Sequence, residues 1–193
     1  LYAAAAERLG AHAYPCGCNR REILDSRRGV APDGGVLYPG TCRSLTPAER
    51  KRRIAAGREH CIRLDSAAAA EAAGPYDFVD EGRGRLEGQP LLMGDFVIAR
   101  KDTPTSYHLS VTVDDHLQGV TLVTRGEDLL PATHLHRVLQ HLLGLPVPEW
   151  KHHRLITDEN GKRLAKRDDA RALRTLRELG WSPRRVRDEL RLS

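Results

Sequence analysis

The feature that most constrains this chain is a β-branched run, VTLVT at 120–124, that ends on Arg125 and Gly126 and leads into a helical pattern over 129–143. A short apolar run bounded by Gly119 and Gly126 suits a buried strand, so strand, tight turn and helix follow one another as in an α/β fold. Arg125 then stands at the carboxyl end of a strand, where open α/β sheets bind their ligands. A guanidinium there matches a carboxylate or phosphate with two parallel hydrogen bonds. The alternative is a local role for Arg125, capping the helix or pairing with Glu127. The wider stretch 107–128 opens on Tyr107 and His108 and carries an acidic pair, Asp114 and Asp115. Leu109, Val111 and Val113 alternate, which by pattern alone reads as a strand. The acidic pair is read as capping and solvating a helix end rather than as an acid–base pair.

A second pattern lies upstream. Tyr14-Pro15 breaks an Ala-rich helix over 1–9, and Cys16 and Cys18 follow, flanking Gly17 so that both thiols can turn towards one ion. After a Gly- and Pro-containing loop over 28–35 comes Tyr38-Pro39-Gly40-Thr41-Cys42. Cysteines this closely spaced, with no signal peptide in front, favour metal over disulfide. Zinc takes four ligands in a structural site. Three cysteines are evident, and His12, Tyr38, His60 and Cys61 are candidates for the fourth. A saturated site leaves no position for water, so its role is structural; the alternative is a set of reduced, metal-free cysteines.

Thr46-Pro47-Ala48-Glu49 spells a capping box with proline in the first turn, predicting a helix to about His60. Short strands are expected at 61–65, from Phe78 to Glu81, and over 94–102, while 67–73 is a helical turn or a loose insertion. The glycines at 82, 84 and 88 do not make a phosphate-binding fingerprint, which needs a strand before it and a helix after it. His134, His136, His141, His152 and His153 lack the paired spacing of a hydrolytic zinc site and are read as surface or packing residues. A turn over 156–161 presents the basic run Lys162-Arg163-Leu164-Ala165-Lys166-Arg167, which suits a triphosphate. Helices are expected at 168–179 and from Pro183 onward.

The net charge of +5 is compatible with a nucleic-acid partner but is common in soluble domains. Much of the arginine lies at 50–58 and 171–191, where solvated helix faces are the plainer explanation. No run of about 18 apolar residues is present, so no transmembrane helix is expected. The start has neither a basic region nor a long apolar core and is not a signal peptide. It reads as the middle of an amphipathic helix, and the expectation is a chain that begins inside a larger protein.

Four motifs in order, Cys16-x-Cys18, Tyr38-x-x-x-Cys42, the 107–128 stretch and Arg163-Leu-Ala-Lys166-Arg, resemble the class I glutamyl-tRNA synthetases over nearly the whole chain. The similarity is greatest to the shortened branch of that family that carries glutamate to the queuosine base of tRNA(Asp). The resemblance implies a Rossmann-like α/β catalytic domain with a zinc-knuckle insertion. It divides the chain into an amino-terminal helix (1–12), the knuckle and acceptor-binding-like insertion (13–90), the second part of the catalytic domain (91–167) and a helical tail (168–193). It implies a helix at Tyr107, glutamate binding by Tyr107 and Arg125, and zinc held by Cys16, Cys18, Tyr38 and Cys42. The basic run corresponds to the Lys-Met-Ser-Lys-Ser-type loop, with Lys166 as its catalytic, ATP-binding lysine and Arg163, Leu164, Ala165 and Arg167 beside it. Arg163 stands in place of the first lysine and Ala165 in place of the serine, so one hydroxyl contact is missing. Substrates would be glutamate, ATP with Mg²⁺, and queuosine-bearing tRNA(Asp), in a cytoplasmic monomer. The family's His-Ile-Gly-His-type motif and Arg-Phe-Ala-Pro-Ser-type strand do not occur here, so half of the nucleotide site is expected elsewhere. Residues 168–193 are too few for an anticodon-binding domain. Two rivals remain: a piece of a glutamyl-tRNA synthetase charging tRNA(Glu), and a zinc-stapled RNA-binding module without catalysis.

Overall fold

Two sheets organise the chain in the computed structural model, which describes residues 1–26, 29–157 and 172–190. The chain forms two compact units, Leu1–His153 and Arg154–Ser193. The first unit begins with α1 (Tyr2–Arg8), which leads through a tight turn into β1 (Ala13–Cys16). After α2 (Arg20–Asp25) and α3 (Pro47–Ala55) come β2 (Cys61–Leu64) and α4 (Ser66–Ala73), then β3 (Asp77–Asp80), β4 (Gly84–Glu87) and β5 (Val97–Ala99). The unit closes with α5 (Tyr107–Leu117), β6 (Leu122–Gly126), α6 (Leu130–Leu143) and β7 (Glu149–His153).

One sheet is three-stranded and antiparallel, in the order β1-β2-β5; the other is four-stranded, in the order β4-β3-β7-β6. In the second, β7 runs parallel to both β3 and β6, and β4 is an antiparallel edge. The α/β class expected from the sequence is met, and the mixed pattern follows from the connections. A tight turn at 81–83 makes the β3–β4 hairpin, whereas α6 carries the chain back between β6 and β7.

The expected strand at 120–124 is displaced and less buried than its composition suggests. It spans Leu122–Gly126, with Leu122 and Thr124 facing outward and Val123 and Arg125 inward. The reason is its place at the sheet edge, where β7 is its one neighbour. Residues 107–117 form a helix, against the alternating pattern and with the family resemblance. Ser106 caps it, Leu109 and Val113 reach the core four residues apart, and Gly119 turns left-handed (φ 66°) to end it. Asp114 does not simply solvate that helix: the Tyr2 hydroxyl donates to it at 2.8 Å, tying α1 to α5.

Helix α3 has the predicted capping box, but it stops at Ala55, and Gly57 (φ 74°) takes the chain out of the helix before His60. Residues 66–73 are a full helix capped by Asp65 rather than a loose insertion. The strand expected over 94–102 contracts to Val97–Ala99.

The main core gathers Leu9, Leu64, Ala69, Phe96, Ile98, Leu109, Leu135, Val138, Leu139 and Leu143, from the helices, strands β2 and β5 of the three-stranded sheet and the segments beside them. In the second unit, α7 (Leu173–Glu178) and α8 (Pro183–Glu189) occur where short helices were expected. The start of the first expected helix lies outside the described residues, as do most of the 156–161 turn and the basic run 162–167. No helix among the described residues is long and apolar enough to cross a membrane.

Candidate functional site

Arg125 points from the inward face of β6 into a cradle built by three other elements. Its Nε donates to His152 Nε2 at 3.2 Å, Nη1 contacts His136 Nδ1 at 3.1 Å, and Nη2 donates to Thr133 Oγ1 at 2.6 Å. Tyr107, at the first turn of α5, lies near the guanidinium and is half exposed. The two residues expected to bind glutamate are therefore brought together. Glu127, the expected local partner, instead pairs with Arg83 at 3.1 Å, because Arg125 faces α6 rather than its own following turn.

Among the described residues, no carboxylate hydrogen-bonds to Arg125. Burial pushes its pKa below the ordinary value, while Tyr107 beside it, and Asp115 and Asp128 at longer range, pull the other way. A guanidinium held by neutral acceptors keeps its charge for an incoming anion.

Two imidazoles taken as packing residues from sequence are the walls of this cradle. His152 and Thr133 are buried, as is His136. His152 Nδ1 is 2.6 Å from Asp80 Oδ2, and Asp80 is itself fully buried. Burial raises the Asp80 pKa, but hydrogen bonds from His152 and the Gly82 amide outweigh it and hold the carboxyl below its ordinary range. His152 is lowered by burial, against the pull of Asp80 and with the help of Arg125. His136 lies well below 6.5, through burial first and then Arg125 and His108. His136 Nε2 meets His108 Nδ1 at 3.2 Å, so the neutral chain continues to α5. The remaining histidines behave as expected: His134 packs edge-on against Phe78, and His141 and His153 are exposed. One sequence signal for His152 existed: in EWKHH, Trp150 and His152 alternate with outward residues, the period of a one-sided strand.

The cysteine pattern assembles as its spacing suggests. The Sγ atoms of Cys16, Cys18 and Cys42 lie within 4.8 Å of one another, the one such His/Cys/acid cluster among the described residues. The Tyr38 oxygen lies 3.3 Å from the Cys16 sulfur and 3.4 Å from that of Cys18, and it accepts a hydrogen bond from the Cys42 amide at 2.8 Å. A zinc ion about 2.3 Å from each sulfur has tetrahedral edges of about 3.8 Å. The separations are on that scale, so these side chains fit a tetrahedral ion. Cys61 opposes Cys16 across β1–β2, but it lies outside the three-sulfur cluster. Its hydrogen bond to Cys16 is the largest influence lowering the Cys16 thiol to about 4, ahead of Tyr38 and Arg63. Of the other candidate ligands, His60 turns its Nδ1 to the Arg58 carbonyl at 3.2 Å.

With this geometry in place, likeness to known proteins decides the family. The model for the catalytic domain of class I tRNA synthetases (E and Q) matches residues 2–193. The chain belongs to that family. Its α/β architecture is accordingly the Rossmann-like catalytic fold of class I synthetases. It is 47% identical to a glutamyl-Q tRNA(Asp) synthetase of Rhodobacter capsulatus, over 97% of this chain and 70% of the relative. It is 42% identical to a protein of the same name from Verminephrobacter eiseniae, over 92% of this chain and 59% of the relative. A glutamate–tRNA ligase 2 of Alkalilimnicola ehrlichii is 40% identical over 90% of this chain but 36% of its own length. Among solved structures, glutamate-tRNA synthetase from Elizabethkingia anophelis superposes with a TM-score of 0.66 at 27% identity, covering 86% of this chain and 35% of that one. The chain thus spans a part, from about a third to somewhat over two thirds, of the relatives named here.

Proposed function

We propose that the protein carrying this chain activates glutamate with ATP and Mg²⁺ and transfers the glutamyl group to the queuosine base of tRNA(Asp). The observation that carries this is Arg125, a cation set in neutral acceptors with Tyr107 beside it, in a chain whose relatives bear the corresponding name. In that reading Arg125 grips a carboxylate of glutamate and Tyr107 supplies a hydroxyl and an apolar wall. The other carboxylate attacks the α-phosphorus of ATP; the bond to the bridging oxygen breaks, pyrophosphate leaves, and glutamyl adenylate forms. Lys166 neutralises charge developing on the departing phosphates, with Arg163, Leu164, Ala165 and Arg167 assigned with it to ATP binding. The acceptor nucleoside then displaces AMP.

Cys16, Cys18, Tyr38 and Cys42 are assigned to a structural zinc ion, which would lock the turn after β1 to the loop at 38–42. By role, the chain divides into a helix of the nucleotide-binding domain (1–12), the knuckle insertion (13–90), the second catalytic part with the activation loop (91–167) and a tail (168–193). The protein is taken to work as a cytoplasmic monomer.

A second reading, charging of tRNA(Glu), is favoured by the similarity to glutamate–tRNA ligases. Glutamate-dependent ATP–pyrophosphate exchange by the full-length protein separates the two. Exchange without tRNA, abolished by Lys166→Ala, supports the queuosine reading. Exchange that requires tRNA(Glu) supports the second, and no exchange under any condition removes both.

A further inference from the structure

Asp80, His152 and Arg125 form a continuous line from a fully buried carboxylate to the mouth of the cradle, and the geometry fixes every proton along it. A carboxylate can only accept, so the 2.6 Å contact places the proton on His152 Nδ1. The Arg125 Nε–H can only donate, so the 3.2 Å contact requires a bare lone pair on His152 Nε2. Thr133 Oγ1 lies 3.0 Å from that same nitrogen and also receives Arg125 Nη2, so the imidazole and the hydroxyl hold one edge of the guanidinium together. Asp80 is anchored in turn by the amides of His152 and Gly82, with the Arg83 guanidinium 3.7 Å away. The line is rigid: β3 supplies Asp80, the adjacent β7 supplies His152, and β6 supplies Arg125 opposite His152 in register.

The arrangement solves a conflict in binding a carboxylate. A carboxylate bonded directly to Arg125 would orient it but would also neutralise it and compete with the ligand. An imidazole interposed between Asp80 and Arg125 passes on the orientation while leaving the guanidinium charge unspent. We infer that His152, with its tautomer set by Asp80, is a positioning residue that aims the Arg125 fork at a substrate carboxylate and so favours an acid over its amide. This deepens, and rests on, the reading of Arg125 as the glutamate-binding group.

Two substitutions take the line apart at different bonds. His152→Asn keeps an N–H where Nδ1 stands, so Asp80 remains served, but nothing reaches Arg125 Nε. His152→Gln places a carbonyl oxygen where Nε2 stands, so Arg125 regains its acceptor. In ATP–pyrophosphate exchange by the full-length protein, His152→Asn is expected to raise the KM for glutamate about tenfold, the worth of one charge-assisted hydrogen bond, with the KM for ATP unchanged. His152→Gln is expected to recover most of that loss. An unchanged glutamate KM in His152→Asn, or no recovery in His152→Gln, overturns the inference. If the wild-type protein shows no exchange, the functional reading fails by itself, and the positioning role is judged without substrate. Nitrogen-15 NMR of the wild type should then show His152 protonated at Nδ1 and bare at Nε2, with an Arg125 Nε–H slow to exchange that becomes fast in His152→Asn. The opposite tautomer, or an Nε–H indifferent to the substitution, overturns the inference whether or not the protein is active.

Discussion

The cysteine cluster and the Arg125 cluster share one compact unit, and they are built in opposite senses. Cys16, Cys18, Cys42 and Tyr38 bring three sulfurs and a phenol oxygen together, a set of electron-pair donors, with the Arg63 guanidinium over the Tyr38 ring at 4.1 Å. Arg125 is a half-buried cation whose hydrogen-bond partners are all neutral. A third polar knot, around Asp95, shows what closure looks like. That buried carboxylate accepts from Arg43 at 3.0 Å, from the Tyr14 hydroxyl at 2.5 Å and from the Ser66 amide at 3.0 Å. Its charge is balanced within the chain, as a structural group requires. The contrast is that the Asp95 knot is closed by its own partners, whereas the donor set at the cysteines fits a metal ion and the guanidinium at Arg125 fits an anion, which is what the proposed function draws on.

The strongest way to break this comparison is Arg125→Ala. Losing a two-bond, charge-assisted grip should lower glutamate-dependent exchange about a thousandfold, or about 4 kcal/mol. The unfolding midpoint should fall far less than activity, because relief of a partly desolvated cation offsets the acceptors left unserved at His152, His136 and Thr133; a midpoint that drops as far as activity would make Arg125 a structural group like Asp95. Next, Cys42→Ser or a strong chelator should release zinc and lower folding stability by about 3 kcal/mol, read by denaturant titration with metal analysis. A protein that carries no zinc, or unfolds identically with chelator present, would end the metal assignment.

Asp80→Asn should cost about 2 kcal/mol, since a buried acceptor of several N–H groups loses its charge; a change under about 0.5 kcal/mol would show that Asp80 does not anchor β7. Acid should act more gently. His108, His134, His136 and His152 are all lowered, primarily by burial. Below about pH 6.5 the unfolded chain takes up protons that the folded chain refuses, so stability is complete above that value and declines as pH falls through 6 and 5. Denaturant midpoints at pH 7.5 and 5.5 read the decline, and equal midpoints would show that these imidazoles are not held neutral. The smallest effect belongs to Arg58→Ala. Its bond to Glu22 is 3.0 Å long but more than a third exposed on both sides, so solvent screening should leave the denaturant midpoint almost unchanged.

The fold was legible in the sequence wherever local chemistry was strong. The Thr46 capping box, the Cys16-x-Cys18 knuckle and the strand–turn–helix around Arg125 could be read directly, because each depends on residues close together in the chain. Their edges were less legible. The 107–117 segment alternates like a strand, yet Leu109 and Val113 enter the core four residues apart, and packing against α6 and β5 decided for the helix. The VTLVT run looked fully buried because composition does not tell a central strand from an edge. Family membership was carried by motifs and agrees with the match over residues 2–193.

What the sequence alone determined was which side chains to look for: the sulfurs, Tyr107 and an arginine at a strand end. Tertiary structure decided what surrounds them. Asp80, Arg125, Thr133, His136 and His152 come from three neighbouring strands and the helix between two of them, and no spacing rule links a carboxylate on β3 to an imidazole on β7. Hydrogen bonding at 2.6–3.2 Å is a property of register and side-chain direction across a sheet, and both are set only when parallel strands align and α6 closes over them.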